Sequence, residues 1–320
     1  MDAHSDSPGA PLGVLPLEDW GLIVARGPEA GSFLQGQLTQ DVLTLGEDEA
    51  RLAGYCSAKG RLLATFVVLR GGPQEWWLAC SADLLAPTLK RLSMFVLRAR
   101  CKLSDGGSEH ALWGLVGRQA LLANGGEQAA ATLPGAVVRT QGRTLARLAD
   151  ADGVPRALLV QAAHLAPPEG PLLAHAEWAR QEVRSGVARV QARTVEQFVP
   201  QMVNLELVGG VNFRKGCYPG QEVVARSQYR GTLKRRAYLW AVQAPGIAVQ
   251  PGDAIYAADD PGQPAGTVAL AARVPGPPGG WELLAETKIA AAEASALHLG
   301  SADGPRLQPL PLPYPLPAEA

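Results

Sequence analysis

Arg214-Lys-Gly-Cys-Tyr-Pro-Gly-Gln-Glu222 is the stretch from which the rest of this chain can be read. Tyr218-Pro219-Gly220-Gln221 suits a type II turn, because proline presets φ at the second position and glycine accepts positive φ at the third. Gly216 frees the backbone on the other side. Cys217 is thereby held on a loop beside Arg214 and Lys215, and neighbouring cations favour the thiolate. A thiol of that kind serves as a nucleophile, a redox sensor or a transient ligand for iron or sulfur. Cys56, Cys80 and Cys101 lie in apolar strands or at their ends and read as small buried hydrophobes.

Moving outward, Arg214 to Arg236 holds seven basic residues (Arg214, Lys215, Arg226, Arg230, Lys234, Arg235, Arg236) and one acid, Glu222. The whole chain carries a net charge of −1, so this local excess of six is balanced by acid elsewhere. The patch reads either as a site for an anionic ligand or polyanionic partner, or as a solvated strand face near a domain junction. The near-neutral total argues against a surface built throughout for nucleic acid.

The 320 residues, 47% hydrophobic and 18% charged, are enough for two or three domains with sizeable cores. Residues 1–16 read as a loose, polar lead-in. Leu17–Ala25 reads as a strand, Pro28–Leu38 as a short helix, and Arg51–Arg70 as two strands joined through Ser57-Ala-Lys-Gly60. Glu75–Cys80 reads as a strand. Ala82–Leu97 is amphipathic, with Leu85, Leu89, Leu92 and Val96 at helical spacing. Leu112–Val116, Ala136–Arg139, Thr144–Arg147 and Ala157–Val160 read as short strands, and Pro171–Arg184 as a helix. From Ala237 onward, short alternating segments between Pro/Gly turns give the texture of a small antiparallel barrel. Pro309–Pro317, with five prolines in nine residues, reads as an extended surface strap.

The longest apolar run, Leu62–Leu69, is far short of the roughly 20 residues a membrane helix needs. The acidic N-terminal residues are the reverse of a secretory signal, so the expected location is the cytoplasm, without membrane association. Four scattered cysteines make no disulfide framework, and no histidine pair has metal-ligand spacing; no metal site is expected. The seven tryptophans outnumber the five phenylalanines. Trp20 begins the first strand and Trp178 lies on the helix before the basic segment. Such rings pack in cores or stack on flat heterocycles.

Four segments, in order, carry a resemblance: Phe33-Leu-Gln-Gly-Gln-Leu-Thr-Gln-Asp41, Ala58-Lys-Gly-Arg61, Phe198-Val-Pro-Gln-Met-Val-Asn-Leu205, and Gly209 through Arg226. They resemble the YgfZ family of folate-binding bacterial proteins, which is related to the T-protein (aminomethyltransferase) of glycine cleavage. The resemblance spans residues 17–316 and implies an α+β fold. It implies a three-domain ring with a ferredoxin-like insertion and a C-terminal antiparallel β-barrel. The approximate domains are 17–50 plus 106–198, 51–105 plus 199–230, and 231–316. It further implies tetrahydrofolate or a one-carbon derivative as cofactor. Trp20, Trp178, Gln201, Asn204, Gln221, Glu222, Arg226 and Arg230 fall at the ligand site, and Cys217, Lys215 and Tyr218 at the reactive centre. The partners implied are iron–sulfur enzymes or their assembly factors, including an enzyme that thiomethylates tRNA.

T-proteins place an aspartate in the strand corresponding to Gly60–Val68, whereas no Asp or Glu occurs here between Arg51 and Glu75. Loss of such a group removes an acid–base contribution typically worth 10²- to 10⁴-fold. The expectation is therefore an accessory protein without T-protein turnover. The other reading is a folate-dependent one-carbon transferase with an unknown acceptor. A third gives residues 214–236 a weak contact with an anionic partner or tRNA.

Overall fold

Period-two alternation of apolar residues builds the first core. Leu22/Val24, Val67/Leu69, Trp77/Ala79 and Leu158/Val160 are buried pairs two residues apart that meet in one cluster, as strands with one face on a core require. The structure, a computed structural model, describes residues 12–229, 233–244, 246–276 and 279–317. Its chain forms two compact units: one comprises residues up to Gln35, Asp41–Leu52 and Phe66–Trp178, the other Gly36–Gln40, Ala53–Thr65 and the residues from Ala179 onward.

In the first unit, one antiparallel sheet has the order Gly13–Pro16, His110–Val116, Val154–Ala162, Arg143–Ala151, Val137–Thr140. A further sheet runs Ala50–Cys56, Leu62–Gly72, Glu75–Ser81, Trp20–Arg26, Lys102–Asp105, with residues 53–56 and 62–65 of its first two strands counted in the second unit. Leu22 pairs with Ala79 and Val24 with Trp77, so the register puts the alternate apolar set on the shared core. Helix Arg118–Ala131 covers the outer face of the first sheet through Ala120, Leu121 and Ala129. Helix Ala82–Val96 lies over the second, burying Leu84, Thr88 and Leu92. It comes so close that a Cβ on Gly21 would stand 2.7 Å from Leu85 Cδ1.

The second unit contains the six-stranded antiparallel sheet Leu297–Leu299, Ala254–Ala257, Gly266–Val274, Gly280–Lys288, Arg235–Val242, Leu307–Leu310. A bridge between His298 and Arg306, with Leu299 N–H donating to Pro305 O at 2.9 Å, joins the first strand to the residues that lead directly into the last. The sheet closes on itself, which removes its open edges. Trp240, Val242, Ile255, Val268, Leu283 and Ala285 fill the interior. The alternate positions of Gly280–Lys288 carry buried Glu282 and Glu286. Arg184 and Arg180 both bond Glu282, at 2.6 and 3.1 Å, and Arg235 bonds Glu286 at 2.6 Å. After the last strand, Tyr314 donates to Gly186 O at 2.7 Å. Gly186 has φ +66°, and a Cβ there would stand 2.8 Å from the Tyr314 ring.

The α+β class and the C-terminal barrel agree with the sequence reading, but several local expectations are corrected. Gly13–Pro16 is a strand paired with Trp113–Val116, not part of a loose lead-in; its proline sits on a sheet edge, where a missing N–H costs no ladder bond. The helix expected from Pro171 starts at His175. Helix Arg118–Ala131 carries no clear helical pattern in sequence, because Gly125-Gly126 interrupts it and Gly126 takes φ +68°. Gln221–Tyr229 was also unexpected as a helix. No helix among the described residues is long and apolar enough to cross a membrane.

Burial opposes the charge on Glu282, but the hydrogen bonds from Arg184 and Arg180 outweigh it and hold the carboxyl below its usual range. A depressed folded pKa gives stability that is complete above the unfolded value and lost as pH falls through the folded one. Glu282→Gln is expected to destabilise the protein by about 3 kcal/mol at pH 7. The gap to wild type should shrink below about pH 4. Urea unfolding across pH reads both.

Candidate functional site

The four sequence segments that carry the resemblance converge on one loop in the second unit. Thr39 Oγ1 donates to Gly210 O at 2.6 Å and accepts from Gly54 N–H at 2.7 Å, and Asn212 N–H donates to Thr39 O at 2.9 Å. Gln40 Nε2 donates to Gly209 O. Leu62 N–H donates to Phe198 O at 2.8 Å. The Thr39 and Gln40 bonds tie Phe33–Asp41 to Gly209–Arg226, and Gly210 N–H, donating to Leu205 O at 2.7 Å, ties in Phe198–Leu205.

The turn itself takes the expected form. Gly220 has φ +79° and Gln221 N–H donates to Tyr218 O at 3.2 Å. A Cβ on Gly220 would lie 2.4 Å from Ser57 O and 2.6 Å from Gly60 Cα. Gly60, at φ +70°, would in turn drive a Cβ to 2.8 Å from Val223 Cβ. Two backbone turns, Ser57–Gly60 and Tyr218–Gln221, therefore pack at a distance that only glycine permits. Helix Gln221–Tyr229 starts directly from this contact.

Lys215 and Tyr218 are buried on either side of the exposed Cys217. Lys215 Nζ donates to Leu38 O at 2.6 Å and sits 4.9 Å from the centre of the Tyr218 ring. Its ammonium holds the loop down, a different task from the one the sequence suggested, which was to charge the thiol's surroundings. Burial first, then the neighbouring Cys56, pushes the Tyr218 phenol well up, so it stays protonated at neutral pH. Of the other cysteines, Cys56 and Cys80 are buried and Cys101 is half-buried. Burial pushes the Cys56 thiol up to about 12 and raises that of Cys101.

Gln201 and Asn204 do not line an opening. Gln201 Nε2 donates to Val224 O at 2.8 Å, and Asn204 Nδ2 to Ala237 O at 2.9 Å, both fully buried. Asn204 also takes the left-handed φ of +57° that ends the 3-10 turn Pro200–Val203. Gln221 is half-buried in the first turn of its helix. Three of the seven basic residues are ion-paired: Arg226 with Glu222 at 2.7 Å, Arg235 with Glu286, and Arg236 with buried Glu206. Arg230 lies outside the described residues. Arg214 and Lys234 are exposed.

In the first unit, a cleft of about 290 Å³ opens at the start of strand Trp20–Arg26, lined by Leu17, Trp20, Leu22, Leu85, Asp105 and His110 among others. Lys102–Asp105 pairs only from Ile23 onward, so the first residues of the neighbouring strand lack a partner strand there. Trp20 is half-buried. The His110 ring lies 4.7 Å from that of Trp77. Its Nε2 is buried without a hydrogen-bond partner among the described residues, and burial lowers its pKa against the opposing pull of Glu109 and Glu75. Trp178, expected beside Trp20 at the ligand, is 0% exposed in the core, with the Arg156 guanidinium 5.2 Å from its ring centre. The structure brings Trp20 to the cleft and leaves Trp178 out of its lining. Asp105 and His110 went unread in the sequence, since a turn acid and a strand-edge histidine carry no spacing signal.

No protein-family model matches the chain. It is 32% identical over 263 residues to the tRNA-modifying protein YgfZ of Cronobacter sakazakii, covering 77% of this chain and 75% of that one. Identity to the protein of the same name from Photorhabdus laumondii is 31% over 279 residues, covering 82% and 81%. The chain belongs to the YgfZ family. Its fold is that of the glycine cleavage aminomethyltransferase T of Bartonella henselae, with a TM-score of 0.65 at 16% identity over 93% of this chain and 84% of that one. For a YgfZ-family chain, the convergence of the four segments places many of its most recognisable residues in backbone packing, with Cys217 among the side chains left outward.

Gly220→Ala is expected to cost at least about 2 kcal/mol, since positive φ alone costs an L-residue roughly 1–2 kcal/mol and the contact with Ser57 O adds to it. Thermal melts should show that loss. Gly216→Ala, with nothing within 4 Å of its added Cβ, should leave the melting temperature nearly unchanged.

Proposed function

We propose that this protein binds a reduced folate in the Trp20 cleft and supports the upkeep of iron–sulfur enzymes through the Cys217 thiol, a tRNA-thiomethylating enzyme among them. The carrying observation is the loop: one exposed cysteine held between buried Lys215 and Tyr218 by contacts drawn from four segments of the chain. A rigid, outward thiol suits transient engagement of a partner's cluster or sulfur. Buried cysteines with raised pKa do not. The tRNA-modifying role named for the relatives supports the choice of clients, and a cytoplasmic setting keeps the thiol reduced.

The cleft fits the head of a folate. Its walls are apolar and include one indole face for stacking. The Asp105 carboxylate, which already accepts from Gly107 N–H at 2.8 Å, can accept from ring amino groups. The neutral imidazole of His110 leaves a buried nitrogen in need of a partner. The volume lies at the lower end of ligand pockets, roughly 300–1,000 Å³, so it takes the bicyclic head and leaves the tail outside. When bound, the cofactor supplies a one-carbon carrier or a reducing ring. Trp20 orients that ring, and Asp105 and His110 fix its polar edge. The missing carboxylate between Arg51 and Glu75 favours binding without aminomethyl transfer.

Tetrahydrofolate is expected to quench tryptophan fluorescence, and Trp20→Ala to weaken its binding two- to tenfold, the equivalent of about 0.5–1.5 kcal/mol of stacking. Unchanged quench and affinity would remove folate from this cleft. With methylene-tetrahydrofolate, the folate should be recovered intact; its consumption would favour the transferase. In cells lacking their own family member, Cys217→Ser should abolish support of tRNA thiomethylation while Cys101→Ser keeps it. Full support by Cys217→Ser would reduce the thiol to a surface side chain.

A further inference from the structure

The chain carries a second basic stretch that differs from residues 214–236 in what its charges do. Between Asp83 and Asp105 there is no acid, while Lys90, Arg91, Arg98, Arg100 and Lys102 fall within thirteen residues. Arg100 pairs with Glu29 at 3.2 Å. Lys90, Arg91, Arg98 and Lys102 are exposed and form no ion pair among the described residues. Uncompensated cations on a chain of net charge −1 mark a face turned to an anionic partner.

The same face is apolar at its centre. Helix Ala82–Val96 buries Leu84, Thr88 and Leu92 against its own unit. In its last turn and just past its end, Met94 is 58% exposed, Phe95 47% and Leu97 87%. Arg91, Met94 and Phe95 follow three- and four-residue spacing along the last turns of the helix, and Leu97 and Arg98 follow directly past its end. Leu97 ends the helix with φ +40° and ψ −95°. Glycine or asparagine is the usual residue where a helix terminates at positive φ, and a leucine held there costs strain while placing its side chain in water. Strain combined with solvent exposure of a large apolar group points to use.

We propose that this face is a docking surface for a partner protein presenting an acidic-rimmed apolar segment. Methionine, phenylalanine and arginine are the residue types enriched in interface cores. Charge complementarity specifies the rim of the partner, and the aliphatic character of Met94 and Leu97 specifies its centre. Nucleic acid is disfavoured as occupant, because single-stranded bases bind on aromatic platforms and Phe95 is the one aromatic side chain in the patch. The proposal is independent of the folate and of Cys217.

The probe is a fluorescein-labelled synthetic helical peptide with leucines at i, i+3, i+4 and i+7 and glutamates elsewhere, titrated against the full chain by anisotropy. Binding should weaken with salt. Arg91→Glu with Arg98→Glu, and Phe95→Ser with Leu97→Ser, should each lower affinity about tenfold or more. Arg214→Glu with Lys234→Glu should leave it within about twofold. Leu97→Gly separates docking from folding: glycine accepts the positive φ, so the melting temperature should hold or rise while affinity falls. Failure to bind the peptide, or equal binding by all variants, overturns the proposal. So does binding of a single-stranded RNA or of phosphatidylglycerol vesicles that the same variants abolish while peptide binding persists.

Discussion

The approach of Gly60 to Gly220 is the constraint on which the thiol loop depends. A single added carbon at Gly220 would enter the Ser57 carbonyl, so the two turns are locked to one separation. That separation fixes where helix Gln221–Tyr229 begins. It also leaves Tyr218 no route to solvent, and Lys215 then completes the clamp from the Leu38 carbonyl. Cys217 faces outward because its neighbours on both sides are committed inward. The Cys217 side chain is positioned by the residues around it.

Charge follows a similar rule. A cluster of arginines in sequence becomes a cationic surface only where the fold supplies no carboxylates. Strand Gly280–Lys288 brings Glu286 to Arg235, and Glu206 reaches Arg236, so two of the cations between residues 214 and 236 hold the barrel and its neighbours rather than facing a partner. The helix end at residues 90–102 has no comparable supply. Buried carboxylates such as Glu282 tolerate their surroundings because two guanidiniums offset the desolvation, and the C-terminal barrel gains directional bonds on its outer face.

The fold was legible where periodicity was strong. The strands around Ser57–Gly60, helix Ala82–Val96 and the Pro/Gly-punctuated barrel all appear in the sequence as alternation, helical spacing or turn chemistry. The type II turn could be read residue by residue, because proline and glycine each admit few conformations. What escaped has a physical reason. The helix at Arg118–Ala131 hides behind Gly125-Gly126, and the edge strand Gly13–Pro16 behind a polar, proline-rich lead-in. Trp178 could not be told from a stacking residue, since an indole that fills a core and one that faces a ligand look alike in sequence. Gln201 and Asn204 posed the same problem: an amide that pins a carbonyl and an amide that reads a ligand share one letter.

The pinning of Leu38 and Thr39 by residues far along the chain has a consequence for how this protein comes into being on a ribosome. Lys215 reaches back 177 residues to Leu38, and Thr39 bonds Gly210 across 171 residues. The segments Gly36–Gln40 and Ala53–Thr65 are synthesised early but belong to the unit built mainly from residue 179 onward. Such high contact order slows folding and leaves early segments waiting. For the time it takes to make that span, at about 5–20 residues per second, the buried faces of those segments have no native partner. The price of a thiol loop assembled from four distant pieces is a nascent chain that needs shielding until the last of them arrives.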